Sequence, residues 1–170
     1  RVAALMVNGD KMSKSLKRVK TALRTAGFID TVVETGTART AANAAEALGC
    51  EIDQIAKSII FAGLQTQQAI LFVTAGSNLV NKEKATKLAK EPLGKADAAF
   101  IREQTGFAIG GVSPVGHLNP VKAFMDPRLF EFDKIWAAAG TPNHVFSICP
   151  TKLQLLCGAD IRLFTDTEKM

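Results

Sequence analysis

The chain has 170 residues, of which 47% are hydrophobic and 22% are charged, so it has the size and composition of one globular domain. Its net charge of +5 is too small to indicate a dedicated polyanion binder, and its basic stretches at 11–24 and 82–95 are typical of solvated helix faces. No apolar run is long enough for a membrane helix. Three scattered cysteines favour a reducing, cytoplasmic location over a disulfide scaffold.

Residues 1–11 lack the regions of a signal peptide and are predicted to be a leader or an added segment, with Met12 as a candidate start and a single domain over 12–170. Ser13 caps a predicted helix that runs to Ala26 and ends at Gly27. A short β-branched strand at 31–34 follows. Thr40 then precedes an alanine-rich helix over 41–48, which ends at Gly49.

Two apolar strands at 59–61 and 69–73, joined by a polar segment at 63–68, predict a hairpin. Charged helices are predicted over 81–90 and 97–105, and the second is closed by Gly106. A Gly- and Pro-rich stretch comes next. Strands are then predicted at 121–125, 134–138 and 144–149. Pro150 opens a final predicted helix over 151–157.

Helices interspersed with hairpin-like strand pairs predict an α/β (α+β) domain with a single mixed, largely antiparallel sheet. A doubly wound parallel sheet would need strand and helix to alternate throughout the chain. Neither a dinucleotide-binding glycine motif nor a phosphate-binding loop is present in the sequence, so no cofactor is predicted.

The segment Gly110-Gly-Val-Ser-Pro-Val-Gly-His117 is the most informative loop. Its glycines can adopt positive φ and bring backbone N–H groups close to a ligand, while Pro114 stiffens the chain. Such a loop can cradle an anion or an oxyanion, although a glycine-rich loop alone is more often an ordinary turn. Ser113 is not expected to be a triad nucleophile, because Pro114 stands where the turn would enter a helix.

Lys57, at the head of an apolar strand, is the second unusual feature. Its stem either extends to the surface, which the residue alone favours, or its charge serves a cleft. His117 and His144 are the only histidines, and no third ligand stands at metal spacing, so no metal site is predicted. Each histidine alone is more often structural, but His117 borders the glycine loop and His144 opens a strand.

The segment Ile55-Ala-Lys-Ser-Ile-Ile-Phe61, followed by Gly110-Gly-Val-Ser-Pro-Val-Gly116, resembles the YbaK and prolyl-tRNA-synthetase editing-domain family. The helix over 40–48 and the segment 97–106 are also similar, so the resemblance covers about residues 12–164. It implies a curved, mixed sheet and hydrolysis of the ester that joins a wrong amino acid to its transfer RNA.

The resemblance assigns a catalytic role to Lys57 and to Gly110 and Gly111 of the loop. It implies that further residues of the loop bind the substrate. Thr35, Thr37, Thr141 and His144 are added as candidates by their position in the chain only. These substrate-binding candidates are Ser113, Pro114, Gly116, His117, Thr35, Thr37, Thr141 and His144.

The implied function is that of a freestanding trans-editing hydrolase that removes a small non-cognate amino acid from tRNA-Pro or a related tRNA. Its expected partner is the 3′ acceptor end of aminoacyl-tRNA, with a synthetase in transient complex and no sequence-specific DNA. Two alternatives remain open: a non-catalytic nucleic-acid-binding or regulatory module on the same fold, and hydrolysis of another small activated ester. Lys57 together with the intact loop favours the enzyme.

Overall fold

The computed structural model describes residues 13–166, so the predicted leader at 1–11 lies outside the described residues. Five helices form within these described residues: α1 Lys14–Thr25, α2 Ala41–Leu48, α3 Lys82–Ala89, α4 Ala98–Thr105 and α5 Pro150–Cys157. The same part of the chain forms eight strands: β1 Val32–Glu34, β2 Ile55–Gly63, β3 Ala69–Ala75, β4 Leu93–Lys95, β5 Lys122–Met125, β6 Ile135–Ala138, β7 His144–Ile148 and β8 Asp160–Ile161. Two 3-10 turns, Ile52–Gln54 and Pro127–Glu131, complete the described part of the fold.

Side-chain caps explain where the helices begin. The Ser13 hydroxyl accepts the Leu16 N–H, as the sequence predicted, and the Thr40 hydroxyl accepts the Asn43 N–H. Asn81 and Asp97 cap α3 and α4 in the same way. Within the described residues, no helix is long and apolar enough to cross a bilayer.

The strands form one mixed sheet in the order β1-β7-β6-β2-β3-β5-β8, and β4 pairs with the far end of β2. Four pairings among the described strands are antiparallel: β1 with β7, β6 with β7, β2 with β3 and β2 with β4. Three are parallel: β2 with β6, β3 with β5 and β5 with β8. The predicted mixed α/β sheet is therefore confirmed, with antiparallel pairings only slightly in excess.

The buried strand β3 separates two hydrophobic cores because successive side chains of a strand point to opposite faces. Leu71, Val73 and Ala75 belong to the larger core, which also contains buried residues of α1. Ile70 and Phe72 belong to the other core, which α3 covers. Helices thus pack on both faces of the sheet.

Phe72 is the centre of the smaller core. Its side chain is fully buried, and its ring stacks on Phe124 with 5.3 Å between the centroids. Edge-to-face contacts with Phe61 and Phe164 surround it. Burial of so much aromatic surface makes this cluster a main source of stability.

We predict that Phe72→Ala lowers the free energy of unfolding by about 3–5 kcal/mol, because it removes a large side chain and leaves a cavity. The matched control is Leu155→Ala, since Leu155 is 72% exposed and its truncation should change the value by no more than about 0.5 kcal/mol. Urea unfolding followed by circular dichroism measures both. Equal losses in the two variants would contradict this assignment of the core.

Candidate active site

A cleft opens where β2 lacks a strand neighbour on one side. Among the described strands, β6 pairs with β2 at Ile55 and Ala56, and β4 pairs with β2 at Phe61–Gly63. The edge of β2 between these pairings borders a cavity of about 410 Å³. The walls come from β2, α2 with its preceding segment, the glycine loop and the β6–β7 turn. They include Thr35, Ala38, Arg39, Ala44, Lys57, Ser58, Ile60, Ile109, Gly110, Trp136, Thr141 and His144.

Lys57 is half-buried on this wall, and its ammonium is fixed by a hydrogen bond. Lys57 Nζ donates to the Asn78 carbonyl at 2.6 Å, and Asn78 Nδ2 donates to Asp126 Oδ2 at 2.9 Å. Burial lowers the pKa of Lys57 from its usual range, while the carboxylates of Asp53 and Asp126 act to raise it. The charge is therefore anchored and compensated rather than left to extend into solvent.

Only one side of the glycine loop reaches the cleft. Gly110 is exposed there, with φ +92°, a conformation that favours glycine. Gly111 is buried, and its φ is not positive. Its N–H donates to the Ala108 carbonyl at 3.1 Å, so this group is already used within the loop.

Gly111 is needed for close packing rather than for an unusual φ, which corrects the expectation from the sequence. A Cβ at this position would lie 2.8 Å from Thr141 Cα and 2.9 Å from the Thr141 N and C atoms. Backbone atoms cannot give way at such a distance without a shift of the turn. Gly111 therefore lets the loop lie directly against the β6–β7 turn, which forms part of the cleft wall.

The four other loop candidates lie behind the cleft and do not line it. Ser113 and Pro114 are buried, and the Ser113 hydroxyl accepts the Val115 N–H at 3.2 Å. His117 Nε2 donates to the Ser113 carbonyl at 2.7 Å. Burial lowers the pKa of His117, the hydrogen bond with Ser113 acts to raise it, and the charge of Arg18 lowers it further. Gly116, with φ +81°, packs against α1.

Arg18 of α1 binds the chain just before the glycine loop and near the loop's end, a role that the sequence did not reveal. Its Nε donates to the Gly116 carbonyl at 2.9 Å, and its Nη2 donates to the Gly106 carbonyl at 2.8 Å. Its guanidinium also lies 4.7 Å from the centre of the Phe107 ring. The sequence placed this residue in a basic run typical of a solvated helix face.

The β6–β7 turn is hydrogen-bonded internally and to the segment after β1. Thr141 Oγ1 lies 2.6 Å from His144 Nδ1, and the Asn143 N–H donates to Thr141 Oγ1 at 3.1 Å. Thr35 N–H donates to the Asn143 carbonyl at 2.8 Å. Thr37 is exposed and donates to Asn143 Oδ1 at 3.2 Å, but it does not line the cleft.

The structure thus brings five of the predicted site residues to one cleft: Lys57, Gly110, Thr35, Thr141 and His144. It also adds two residues that the sequence did not single out. Arg39, exposed just before α2, is another cation at the cleft, and Trp136, the chain's one tryptophan, lines the cleft from β6, where it pairs with Ile55 of β2. Both depend on how α2 and β6 pack, which no local pattern in the sequence specifies.

The fold and the cleft define an α/β domain in which one anchored lysine and a glycine loop border a pocket large enough for a small ligand. The pattern of the aminoacyl-tRNA editing domain family matches residues 35–156. The chain belongs to this family. The resemblance to YbaK and the prolyl-tRNA-synthetase editing domains is thereby confirmed, and membership assigns the protein an aminoacyl-tRNA editing role.

The chain is similar to two relatives and one solved structure. The chain is 32% identical over 123 residues to the uncharacterized protein YwhH of Bacillus subtilis, covering 72% of this chain and 77% of that protein. It is 35% identical over 93 residues to a proline–tRNA ligase of Chromobacterium violaceum, covering 54% of this chain and 16% of the ligase. A solved structure described as a candidate trans-editing enzyme for prolyl tRNA synthetase has a TM-score of 0.86 and 43% identity, with coverage of 92% and 100%.

We predict that Gly111→Ala displaces the Thr141–His144 turn, because the new Cβ would collide with backbone atoms of Thr141. Overpacking of this kind costs about 1–3 kcal/mol of stability. Amide NMR signals of Thr141 and His144 should shift, and the melting temperature should fall.

The matched control for this prediction is Gly110→Ala. A Cβ at Gly110 would meet nothing closer than Pro142 Cγ at 3.9 Å, so that variant carries only the strain of its φ. Unchanged Thr141 and His144 signals in Gly111→Ala would show that the loop does not support the turn.

Proposed function

We propose that this protein is a trans-editing hydrolase that removes a small, non-cognate amino acid from tRNA-Pro or a related tRNA. The observation that carries the proposal is the position of Lys57, fixed on the wall of the same cleft as Gly110. The similarity to a structure described as a candidate trans-editing enzyme supports action in trans. A transient complex with a synthetase remains part of this proposal.

The chemistry needs little more than this cleft provides. An aminoacyl ester is already activated, so a bound water can attack its carbonyl once the ester is held in place. The Lys57 ammonium would then stabilise negative charge on the developing oxyanion or on the terminal nucleotide. Gly110 is the loop residue exposed in the cleft, so its backbone is the part of the loop that can approach the reacting ester.

Lys57 is assigned as a cation and not as a general base. The pKa of an unperturbed lysine is about 10.4, far above neutral pH. Although burial lowers the pKa of Lys57, the nearby carboxylates of Asp53 and Asp126 oppose that effect. The hydrogen bond from its Nζ to the Asn78 carbonyl also favours the charged form, because the carbonyl oxygen stabilises positive charge on the nitrogen.

Selection of a small amino acid follows from the limit on binding specificity. A synthetase pocket gains only about 1–3 kcal/mol from one methylene group, so it cannot strongly reject a residue slightly smaller than its own. A second site that admits the smaller residue and excludes the larger one corrects the error. The Thr141 and His144 wall, held against the loop, is the part of the cleft we propose for this selection.

A panel of charged transfer RNAs tests the proposal. The purified protein should release alanine, serine, cysteine or threonine from tRNA-Pro, and it should leave prolyl-tRNA-Pro intact. Tight tRNA binding without release of any amino acid would instead identify a non-catalytic nucleic-acid-binding module. Hydrolysis of small activated esters but of no charged tRNA would identify an esterase of another class.

We predict that Lys57→Ala reduces kcat for deacylation by about 10²–10³-fold, the usual effect of removing one group that stabilises an oxyanion. The melting temperature should change little, because the side chain is only half-buried and its aliphatic stem contributes modest packing. Single-turnover deacylation and thermal unfolding measure the two effects.

The matched control is Lys82→Ala, which removes an exposed lysine from the first turn of α3. This variant should keep the wild-type kcat. A Lys57→Ala enzyme with wild-type turnover would refute the catalytic assignment, and a large fall in its melting temperature would indicate a structural role instead.

A further inference from the structure

The direction of the backbone groups along β2 can be derived from its pairing with β3. The two strands pair without a bulge from Ala56 with Ala75 to Ala62 with Ala69. Just beyond this ladder, the Gly63 N–H donates to the Gln68 carbonyl. In an antiparallel pair, the residues that bond to the partner alternate along the strand. Odd-numbered residues of β2 therefore direct their N–H and C=O groups to β3.

Even-numbered residues of β2 direct the same groups to the other side of the strand. There, Ala56 pairs with β6 and Ala62 pairs with β4. Between them, no described strand pairs with Ser58 or Ile60 on that side. Both residues line the cleft. Two N–H donors and two C=O acceptors of one strand edge thus face the space that we assign to the substrate.

Ser58 carries a further unused polar group. Its hydroxyl oxygen is buried and has no hydrogen-bond partner among the described residues. Buried polar side chains in folded proteins almost always have such a partner, so this position is an exception. The unused hydroxyl and the unpaired backbone groups occur at the same residue.

The geometry points to a backbone-recognition subsite, in which the strand edge at Ser58 and Ile60 binds the α-ammonium and the ester or ribose oxygens of the aminoacyl-adenosine end. The inference rests on the proposed function. The two residues are separated by about 7 Å along the strand, a span that one aminoacyl ester and its ribose can bridge. C=O groups would accept hydrogen bonds from the ammonium, and N–H groups would donate to the oxygens.

Such a subsite would explain how one wall of the cleft holds the ester while another wall selects the amino-acid side chain. The α-ammonium and the ester are common to every aminoacyl-tRNA, so backbone groups can recognise them whatever amino acid is attached. Strand edges bind extended peptides by the same hydrogen bonds. Discrimination would then depend only on the wall that contacts the amino-acid side chain.

The test uses 3′-alanylamino-3′-deoxyadenosine, a hydrolysis-resistant amide analogue of the charged 3′ end, with the wild-type protein. Binding is followed by the fluorescence of Trp136, which lines the cleft. NMR then measures hydrogen exchange of individual amides with and without the ligand. We expect the Ser58 and Ile60 amides to exchange at least tenfold more slowly in the complex.

The neighbouring amides of Lys57 and Ile59 are an internal control, because they already bond to β3. Their exchange should change much less. A second ligand, in which a hydroxyl replaces the α-ammonium, should bind at least tenfold more weakly and protect Ser58 and Ile60 less.

Saturating fluorescence without protection of Ser58 and Ile60 would overturn the subsite, as would equal protection of all four amides. Absence of any binding at millimolar ligand would overturn it as well. Deacylation of charged tRNA by the same preparation is measured in parallel. If the enzyme deacylates charged tRNA but the Ser58 and Ile60 amides are not protected, only the subsite is refuted. If there is neither deacylation nor protection, the proposed function is refuted.

Discussion

The cleft depends on the early separation of β6 from β2. The two strands pair at Ile55 and Ala56, and the chain of β6 then continues to Gly140. Gly140 has φ +98°, and a Cβ there would lie 2.7 Å from the Ser15 carbonyl of α1. The chain can make this close approach to α1 only because Gly140 has no side chain. A continued pairing of β6 would fill the edge of β2 and close the site.

The glycine loop is held from two directions, so its exposed part is small and defined. Behind the cleft, Arg18 binds the carbonyl groups of Gly106 and Gly116. At the cleft, Gly111 packs against the backbone of Thr141. Gly110 remains exposed between these contacts. Preorganised backbone of this kind is what electrostatic stabilisation of a developing charge requires, because no reorganisation is needed during the reaction.

Local signals in the sequence predicted much of the fold. The capped helices α1 and α2 and the hairpin of β2 and β3 form where capping residues and apolar runs indicated them. The strands β4 and β8 were missed, since two or three residues are too few to show an alternating pattern. The sequence also predicted that β2 begins at residue 59, whereas it begins at Ile55, because Lys57 and Ser58 interrupt the apolar pattern of the strand.

The site was predictable in kind but not in geometry. The motifs around Lys57 and Gly110 identified the family, and both residues line the cleft. No local pattern shows that Arg18 binds carbonyl groups 88 and 98 residues away in the chain. Nor does any local pattern show that Gly111 allows the loop to approach the Thr141 backbone, since that contact depends on a turn formed 30 residues later. Tertiary packing decides these positions.

The electrostatic arrangement around Lys57 holds its ammonium in one place beside the cleft. Asp53 and Asp126 face the ammonium from the side of the Asn78 turn. Burial acts to raise the pKa of Asp53, but hydrogen bonds from Ser77 and Arg128 outweigh it and keep that pKa low. Asp53 is therefore ionised at neutral pH.

Asp126 is buried and accepts hydrogen bonds from the Ala75 and Arg128 N–H groups and from the Asn78 side chain. Both carboxylates are thus fixed by donors other than Lys57. They favour its charged form against the cost of burial while leaving its stem on the cleft wall. In the proposed hydrolysis, which has no protein nucleophile, a lysine supported in this way is the cation that stabilises the developing negative charge.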